Sequence, residues 1–259
     1  MPTFAANLSL LFTELPFLDR IDAAAAAGFP AVECQFPYEV TAPALAARLQ
    51  QQQIPLILFN LPAGDWSRGD RGLAALPAQR ETFRQSLHQA LDYARQCRAS
   101  RLHVMAGIAD PADKAAMMTY RANLAEAAEL AAAADITLLI EPINRQDMPG
   151  YFLSDYHLAA ELIETIGAAN LRLQFDLYHR QRICGEVIDC LRQLMPVIGH
   201  IQVAGVPGRH EPVDCELDFP TIFAEIDRLG YRGYIGCEYR PIGTTSAGLG
   251  WLKPYLAAR

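Results

Sequence analysis

Short apolar runs, each followed by a longer amphipathic stretch, recur eight times along this chain, and that alternation constrains the fold more than any other feature. The strand candidates are Phe4–Leu10, Ala31–Phe36, Pro55–Asn60, Arg101–Gly107, Thr137–Asn144, Leu171–Asp176, Gly199–Gly205 and Tyr234–Pro241. Helical patterns fill the intervals at Pro16–Ala27, Pro43–Gln52, Pro77–Cys97, Pro111–Ala134, Ser154–Ile166, Gly185–Met195, Phe219–Leu229 and Ser246–Leu256. Gly28, Gly167 and Gly230 stand where helix ends call for a left-handed residue. Thr41 with Pro43, and Asp110-Pro111, read as helix starts, and Ser154 reads as an N-cap. No linker or composition break divides the 259 residues, and a closed α/β barrel takes about 250. The expectation is one domain over residues 1–259, folded as a single (β/α)₈ TIM barrel. An open doubly wound sheet is the alternative, but no glycine-rich fingerprint follows the first strand, where a dinucleotide site would need one.

Charge and composition narrow the function. A net charge of −7 and a pI near 5.4 argue against a nucleic-acid partner, because phosphate binding needs a basic surface. No stretch of 18 apolar residues is present to cross a bilayer, and the N-terminus lacks the basic-then-apolar pattern of a signal peptide. Cys34, Cys97, Cys184, Cys190, Cys215 and Cys237 are scattered without a C-x-x-C pair, so they read as free thiols in a reducing, cytoplasmic setting.

In a parallel barrel, alternate residues point inward, the others pack on the helices, and catalytic groups sit at the C-terminal strand ends. In strand five, Leu138 and Ile140 are expected against the helices, with Leu139 and Glu141 inside. In strand six, Leu171, Leu173 and Phe175 alternate with Arg172, Gln174 and Asp176. Strand seven alternates Ile201 and Val203 with His200 and Gln202; strand eight sets Gly236 and Glu238 on one face. Glu141, Asp176, Gln202 and Glu238 therefore converge on one end of the barrel. Three negative charges and an amide oxygen repel there unless a cation joins them. An all-oxygen set suits one divalent metal ion, Mg²⁺ or Mn²⁺, better than zinc. His200 lies one layer deeper and is not assigned to the metal. His103, near the end of strand four, reads as a satisfied core histidine.

The same residues carry a family resemblance. Leu139-Ile140-Glu141-Pro142-Ile143-Asn144, Phe175-Asp176-Leu177-Tyr178-His179 and Gly236-Cys237-Glu238-Tyr239-Arg240-Pro241 resemble signatures of the hydroxypyruvate isomerase family. That family sits among the xylose-isomerase-like barrels with tagatose epimerases and endonuclease IV. Phe4-Ala5-Ala6-Asn7-Leu8-Ser9, Asn60-Leu61-Pro62-Ala63-Gly64-Asp65-Trp66 and His210-Glu211-Pro212 are similar too, and the likeness continues to Gly248-Leu249-Gly250-Trp251. The resemblance implies that Glu141, Asp176, Gln202 and Glu238 hold the metal, and that Glu141 and Glu238 also exchange protons with substrate. Related epimerases usually carry histidine in place of Gln202, which points toward the hydroxypyruvate isomerase branch. They also place a histidine three residues after the strand-six aspartate, matched by His179. Their substrate-binding arginine after strand seven has Arg209 as its nearest match, across a loop of different length.

The implied reaction interconverts hydroxypyruvate and tartronate semialdehyde. A glutamate takes a proton from the hydroxyl-bearing carbon, an enediolate forms beside the Lewis-acid metal, and a proton returns to the neighbouring carbon. Arg209 would offer a bidentate fork to the substrate carboxylate, and His179 would donate to a substrate oxygen or hold a glutamate. Arg145 and Arg240 read as partners of the glutamates they follow, and Trp66 reads equally as a wall of the site or as packing beneath its loop. The expected partner is a small hydroxy-carbonyl acid, with no nucleic acid and no membrane; a homo-oligomer is compatible with the barrel. An isomerase of the longer 2-oxo-tetronate is the nearest alternative, followed by a ketose epimerase. A multi-zinc nuclease would need more histidine than the six here, and a non-catalytic sugar-acid binder has no use for paired glutamates.

Overall fold

The computed structural model describes residues 1–256. Its strands are β1 (Thr3–Asn7), β2 (Val32–Glu33), β3 (Leu56–Asn60), β4 (Arg101–His103), β5 (Thr137–Ile140), β6 (Leu171–Asp176), β7 (Ile198–Val203) and β8 (Tyr234–Cys237). They pair in chain order and in parallel, and β8 closes onto β1, giving one eight-stranded barrel. Alternation along each strand does the sorting. Leu138, Ile140, Leu171, Leu173, Phe175, Ile201, Val203 and Ile235 belong to the large apolar cluster shared with the helices, whereas Leu139 joins Ala5, Ala31, Ile57 and Leu58 in a small separate one. Each fully buried leucine or isoleucine in the outer layer contributes about 1.5–3 kcal/mol.

Helices α1 (Asp19–Ala26), α2 (Ala42–Gln52), α3 (Arg80–Cys97), α4 (Lys114–Ala132) and α5 (Tyr156–Ile166) follow the first five strands. In α3 the buried residues Phe83, Leu87, Ala90, Leu91 and Ala94 recur at helical spacing, which is why this segment packs as a helix. Gly28, Gly167 and Gly230 have positive φ, in keeping with their expected place at helix ends. Thr41 is the N-cap residue of α2, as its sequence context implies.

Several boundaries differ from the sequence expectation. Strand four ends at His103 because Val104–Gly107 are buried loop residues: Ala74 and Ala75 donate to Met105 and Ala106 instead of a ladder forming. Burial under a loop and burial in a strand look alike in an apolar run. Helix α4 starts at Lys114 with Asp113 capping Ala115 N at 2.8 Å, and Asp110-Pro111 forms a separate upstream turn. The cap of α5 is Asp155, which accepts from His157 and Leu158, rather than Ser154. The last helical pattern is broken into Thr245–Gly248, a 3₁₀ turn at Leu249–Leu252, and Lys253–Leu256.

After β6 the chain enters a helix with no apolar periodicity to betray it, α6 (Leu177–Cys184); α7 (Val187–Leu194) and α8 (Phe219–Arg228) precede β7 and β8 respectively. Asp176 caps α6 by accepting from Tyr178 N at 2.8 Å, and Gly185 ends it at φ 66°. An Asp-to-Gly interval of this length was the available signal. This short helix places His179 over the barrel mouth.

Candidate active site

Beyond the C-terminal strand ends lies a cavity of about 450 Å³, lined among others by Glu141, Glu238, Arg209, His179, His103 and Trp66. Glu141 and Glu238 are the residues immediately after β5 and β8, and Asp176 is the last of β6. All three are buried. One cation meets two of them: Arg209 Nη2 lies 2.8 Å from Glu238 Oε2 and 3.5 Å from Asp176 Oδ2. Arg209 is held firmly. Its backbone sits at φ 57° in the turn after β7, its N donates to Gly205 O, and Arg240 N donates to its carbonyl. Its guanidinium lies 5.0 Å from the Tyr178 ring centre. Burial opposes its charge, but Glu238, Asp176 and Glu141 outweigh that and hold its proton more tightly than usual.

The second oxygen of Glu238 accepts from Gln35 Nε2 at 2.9 Å. Glu141 is less well served: its Oε1 is buried with no hydrogen-bond partner among the described residues. Burial first, then Glu238 and Asp176, push the Glu141 carboxyl well above the usual range; Arg209 and the neighbouring Gln174 amide oppose this. Asp176 is pushed up to about 7, chiefly by burial, with Arg209 opposing and Glu238 adding. Three buried carboxylates around one arginine, with an orphaned oxygen, are short of positive charge. The donor set therefore fits a divalent cation.

The histidines are better defined than the sequence allowed. Asn144 Oδ1 accepts from the backbone N of Gln146 and Asp147, which turns its Nδ2 toward His179 Nδ1 at 2.7 Å. His179 Nδ1 is thereby the acceptor, and the proton of the neutral ring sits on Nε2, 3.7 Å from Asp176 Oδ2. Burial, then Arg209, keep this ring neutral. Glu141, Asp176 and His179 are close enough to share an ion by distance alone, but a protonated Nε2 is a donor and not a ligand, so His179 serves hydrogen bonding instead. His103 is not the satisfied core residue expected from sequence. Its Nε2 lies 3.8 Å from Glu141 Oε2, has no hydrogen-bond partner among the described residues, and belongs to the cavity wall. Burial lowers its pKa to about 3.

Gln202 is the register partner of Asp176 but does not line the cavity. Its Oε1 accepts from Gln174 and its Nε2 donates to Glu33. His200 is engaged one layer deeper, 2.6 Å from Glu33 Oε2, rather than with Glu141, Asp176 or Glu238. Arg240 reaches the cavity rim, whereas Arg145 is exposed and lines other surface hollows. Arg145 thus takes no part in holding Glu141; the loop after β5 turns outward at Asn144. Trp66 walls the cavity as expected, stacked under Arg71 at 3.9 Å and 5.6 Å from the Phe36 ring. Glu33 and Gln35 alternate with Val32, Cys34 and Phe36 at the end of β2, and that alternation was the available signal for them; Arg71 lies in a loop that no periodicity marks.

Residues 21–255 match the family model described as Xylose isomerase-like TIM barrel. The chain belongs to that family. A 2-oxo-tetronate isomerase of Cupriavidus necator is 54% identical, covering 99% of each chain, and a hydroxypyruvate isomerase of Escherichia coli is 40% identical over 98% of this chain and 100% of that one. A crystal structure described as AP endonuclease, family 2, from Brucella melitensis superposes with a TM-score of 0.96 at 42% identity, covering 98% of this chain and 99% of that one. The hydroxypyruvate isomerase resemblance thus holds over the full length, and the enzyme class is isomerase. Among the described residues, no helix is long and apolar enough to cross a membrane.

Proposed function

We propose that this isomerase interconverts hydroxypyruvate and tartronate semialdehyde. The observation that carries the reading is the convergence of Glu141 and Glu238, from β5 and β8, on one cavity whose charge is incompletely balanced. Glu141, Asp176, Gln202 and Glu238 would hold one Mg²⁺ or Mn²⁺. When bound, that ion supplies Lewis acidity for two adjacent substrate oxygens.

The protein's own groups then divide the work. One glutamate takes the proton from the hydroxyl-bearing carbon while electrons shift onto the neighbouring carbonyl oxygen to give the enediolate. A proton then returns to what was the carbonyl carbon. The hydroxyl proton of the first carbon leaves as its new carbonyl forms, and the former carbonyl oxygen takes up a proton, so that none is gained or lost overall. His179 Nε2–H donates to a substrate oxygen. Arg209 anchors the substrate carboxylate and keeps charge balanced beside Glu238. Trp66 and Phe36 cover the cavity and limit access of water. The six cysteines are all free, which fits a cytoplasmic setting.

A second reading is favoured by one observation: the 54% identical relative is named for 2-oxo-tetronate. Both acids have an oxygenated carbon pair next to a carboxylate end and need the same groups. A substrate panel on chelator-treated and Mn²⁺-reloaded protein decides. Conversion of hydroxypyruvate or 2-oxo-tetronate, absent after chelation and restored by Mg²⁺ or Mn²⁺, is expected. Turnover of neutral ketohexoses alone, or full activity without metal, would remove the proposal.

A further inference from the structure

One layer inside the carboxylates, the barrel holds a second polar cluster that the proposed chemistry does not use. Glu33, the last residue of β2, is fully buried. Its Oε1 accepts from Asn7 Nδ2 at 3.0 Å and from Gln202 Nε2 at 2.7 Å, and its Oε2 lies 2.6 Å from His200 Nε2. Gln202 Oε1 in turn accepts from Gln174 Nε2 at 2.6 Å. Residues from β1, β2, β6 and β7 thus form one chain of donors and acceptors. Gly236 of β8 makes room for it, because a Cβ there would collide with both Glu33 oxygens.

The direction of that chain is set at one end. A carboxylate has only acceptors to offer, whereas a glutamine amide has a donor end and an acceptor end. With Gln202 reversed, its carbonyl oxygen would face the Glu33 carboxylate and its NH₂ would face the NH₂ of Gln174. Both hydrogen bonds would be lost and two buried oxygens would repel.

We propose that Glu33 is a positioning residue, locking Gln202 so that its amide oxygen points away from Glu33, toward Gln174. An amide oxygen can ligate a cation and an NH₂ group cannot. Glu33 thereby presents the one neutral member of the proposed metal set in its only useful orientation. The consequence for metal affinity rests on the reading of Gln202 as a ligand; the orientation itself does not.

Two measurements on the full-length protein separate these levels. The first is solvent exchange of the Gln202 side-chain NH₂, observed in ¹⁵N-labelled protein and assigned by its loss in Gln202→Met. Slow exchange is expected in the parent protein and fast exchange in Glu33→Ala, with backbone protection in β6 and β7 retained. Glu33→Gln should restore slow exchange, since its amide oxygen can accept from Gln202 while its NH₂ donates to the other His200 tautomer. The second is Mn²⁺ affinity by calorimetry: a loss of about 10–100-fold is expected in Glu33→Ala, the range typical for groups that orient a metal ligand, with most of it recovered in Glu33→Gln. Rapid exchange of Gln202 in the parent protein would overturn the proposal even if Glu33→Ala failed to fold. So would a folded Glu33→Ala with unchanged exchange and affinity. A parent protein that binds no Mn²⁺ would remove the metal reading alone, leaving the orientation to be judged by the exchange data.

Discussion

Along β6, Leu171, Leu173 and Phe175 disappear into apolar packing with the helices, while Gln174 and Asp176 on the opposite face meet amides, an arginine and other carboxylates. The same six residues serve two interiors with different physics. Outside the barrel wall, burial is favourable for each side chain taken singly, and the packing needs only shape and volume. Inside its upper half, burial is unfavourable for each group taken singly, and only partners make it tolerable. Glu141, with an orphaned oxygen, and Asp176, pushed to about 7, show that the described residues do not fully supply those partners. The outer layer therefore stabilises the fold, and the inner layer holds groups in forms that the fold alone would not choose.

The sharpest way to break this contrast is to change one group in each layer. Glu141→Gln and Glu238→Gln keep the volume and an oxygen but cannot carry a proton. At least one is expected to retain Mn²⁺, and to melt no lower than the parent, while losing ~10²-fold or more in turnover. Leu173→Ala on the outer face should do the reverse, losing about 2–5 kcal/mol of stability with kcat little changed at a temperature where it is folded. Running the parent reaction in D₂O adds the route: deuterium in early product supports exchange through a glutamate, whereas unlabelled product together with normal turnover by both glutamine variants would end the two-glutamate assignment.

Arg209 tests whether the inner layer needs a fork or merely a charge. Arg209→Lys keeps the charge but lacks the planar guanidinium whose Nη2 meets both Glu238 and Asp176. A drop of about 10-fold in kcat/KM is expected from the loss of one charge-assisted hydrogen bond of about 1.4 kcal/mol. Wild-type kinetics for Arg209→Lys and Arg209→Ala alike would reduce the residue to a filler of the turn.

The smallest effect is read from pH. In the metal-free protein Asp176 titrates at about 7, against about 3.9 for an unfolded aspartate. Between those values the folded state binds more protons than the unfolded one, so this group's contribution to stability is present in acid and lost as pH rises through 7. Metal-free protein should melt at a lower temperature at pH 8 than at pH 5.5 on this account, and saturating Mn²⁺ should remove most of that fall. Mn²⁺ affinity should rise with pH over the same window as protons are released. An affinity independent of pH from 6 to 8 would show that the carboxylates are already ionised without metal.

The contrast between layers also explains what was legible beforehand. Glu141, Asp176 and Glu238 could be placed at one end of a barrel from alternation and chain order, because parallel pairing of consecutive strands puts like positions together. Gln202 is beside Asp176 in register for the same reason. For His103 the sequence leaves the core and cavity positions undecided, because a histidine at a strand end has the same local sequence whether or not it finds a partner. Helix α6 and the Asp155 cap escaped because polar capping carries a helix that apolar spacing does not announce.

The sequence by itself determined the eight-fold alternation, the closed barrel and the strands that deliver the carboxylates, since all of these follow from local periodicity repeated along the chain. Only the tertiary structure decided that Arg209 lies between Glu238 and Asp176, that Asn144 puts the proton of His179 on Nε2, and that Glu33 turns the amide of Gln202. Those facts depend on groups up to 169 positions apart in the chain. A hydrogen bond is directional over about 3 Å, whereas a sequence pattern fixes which face a residue occupies but not which atom of its side chain meets which neighbour.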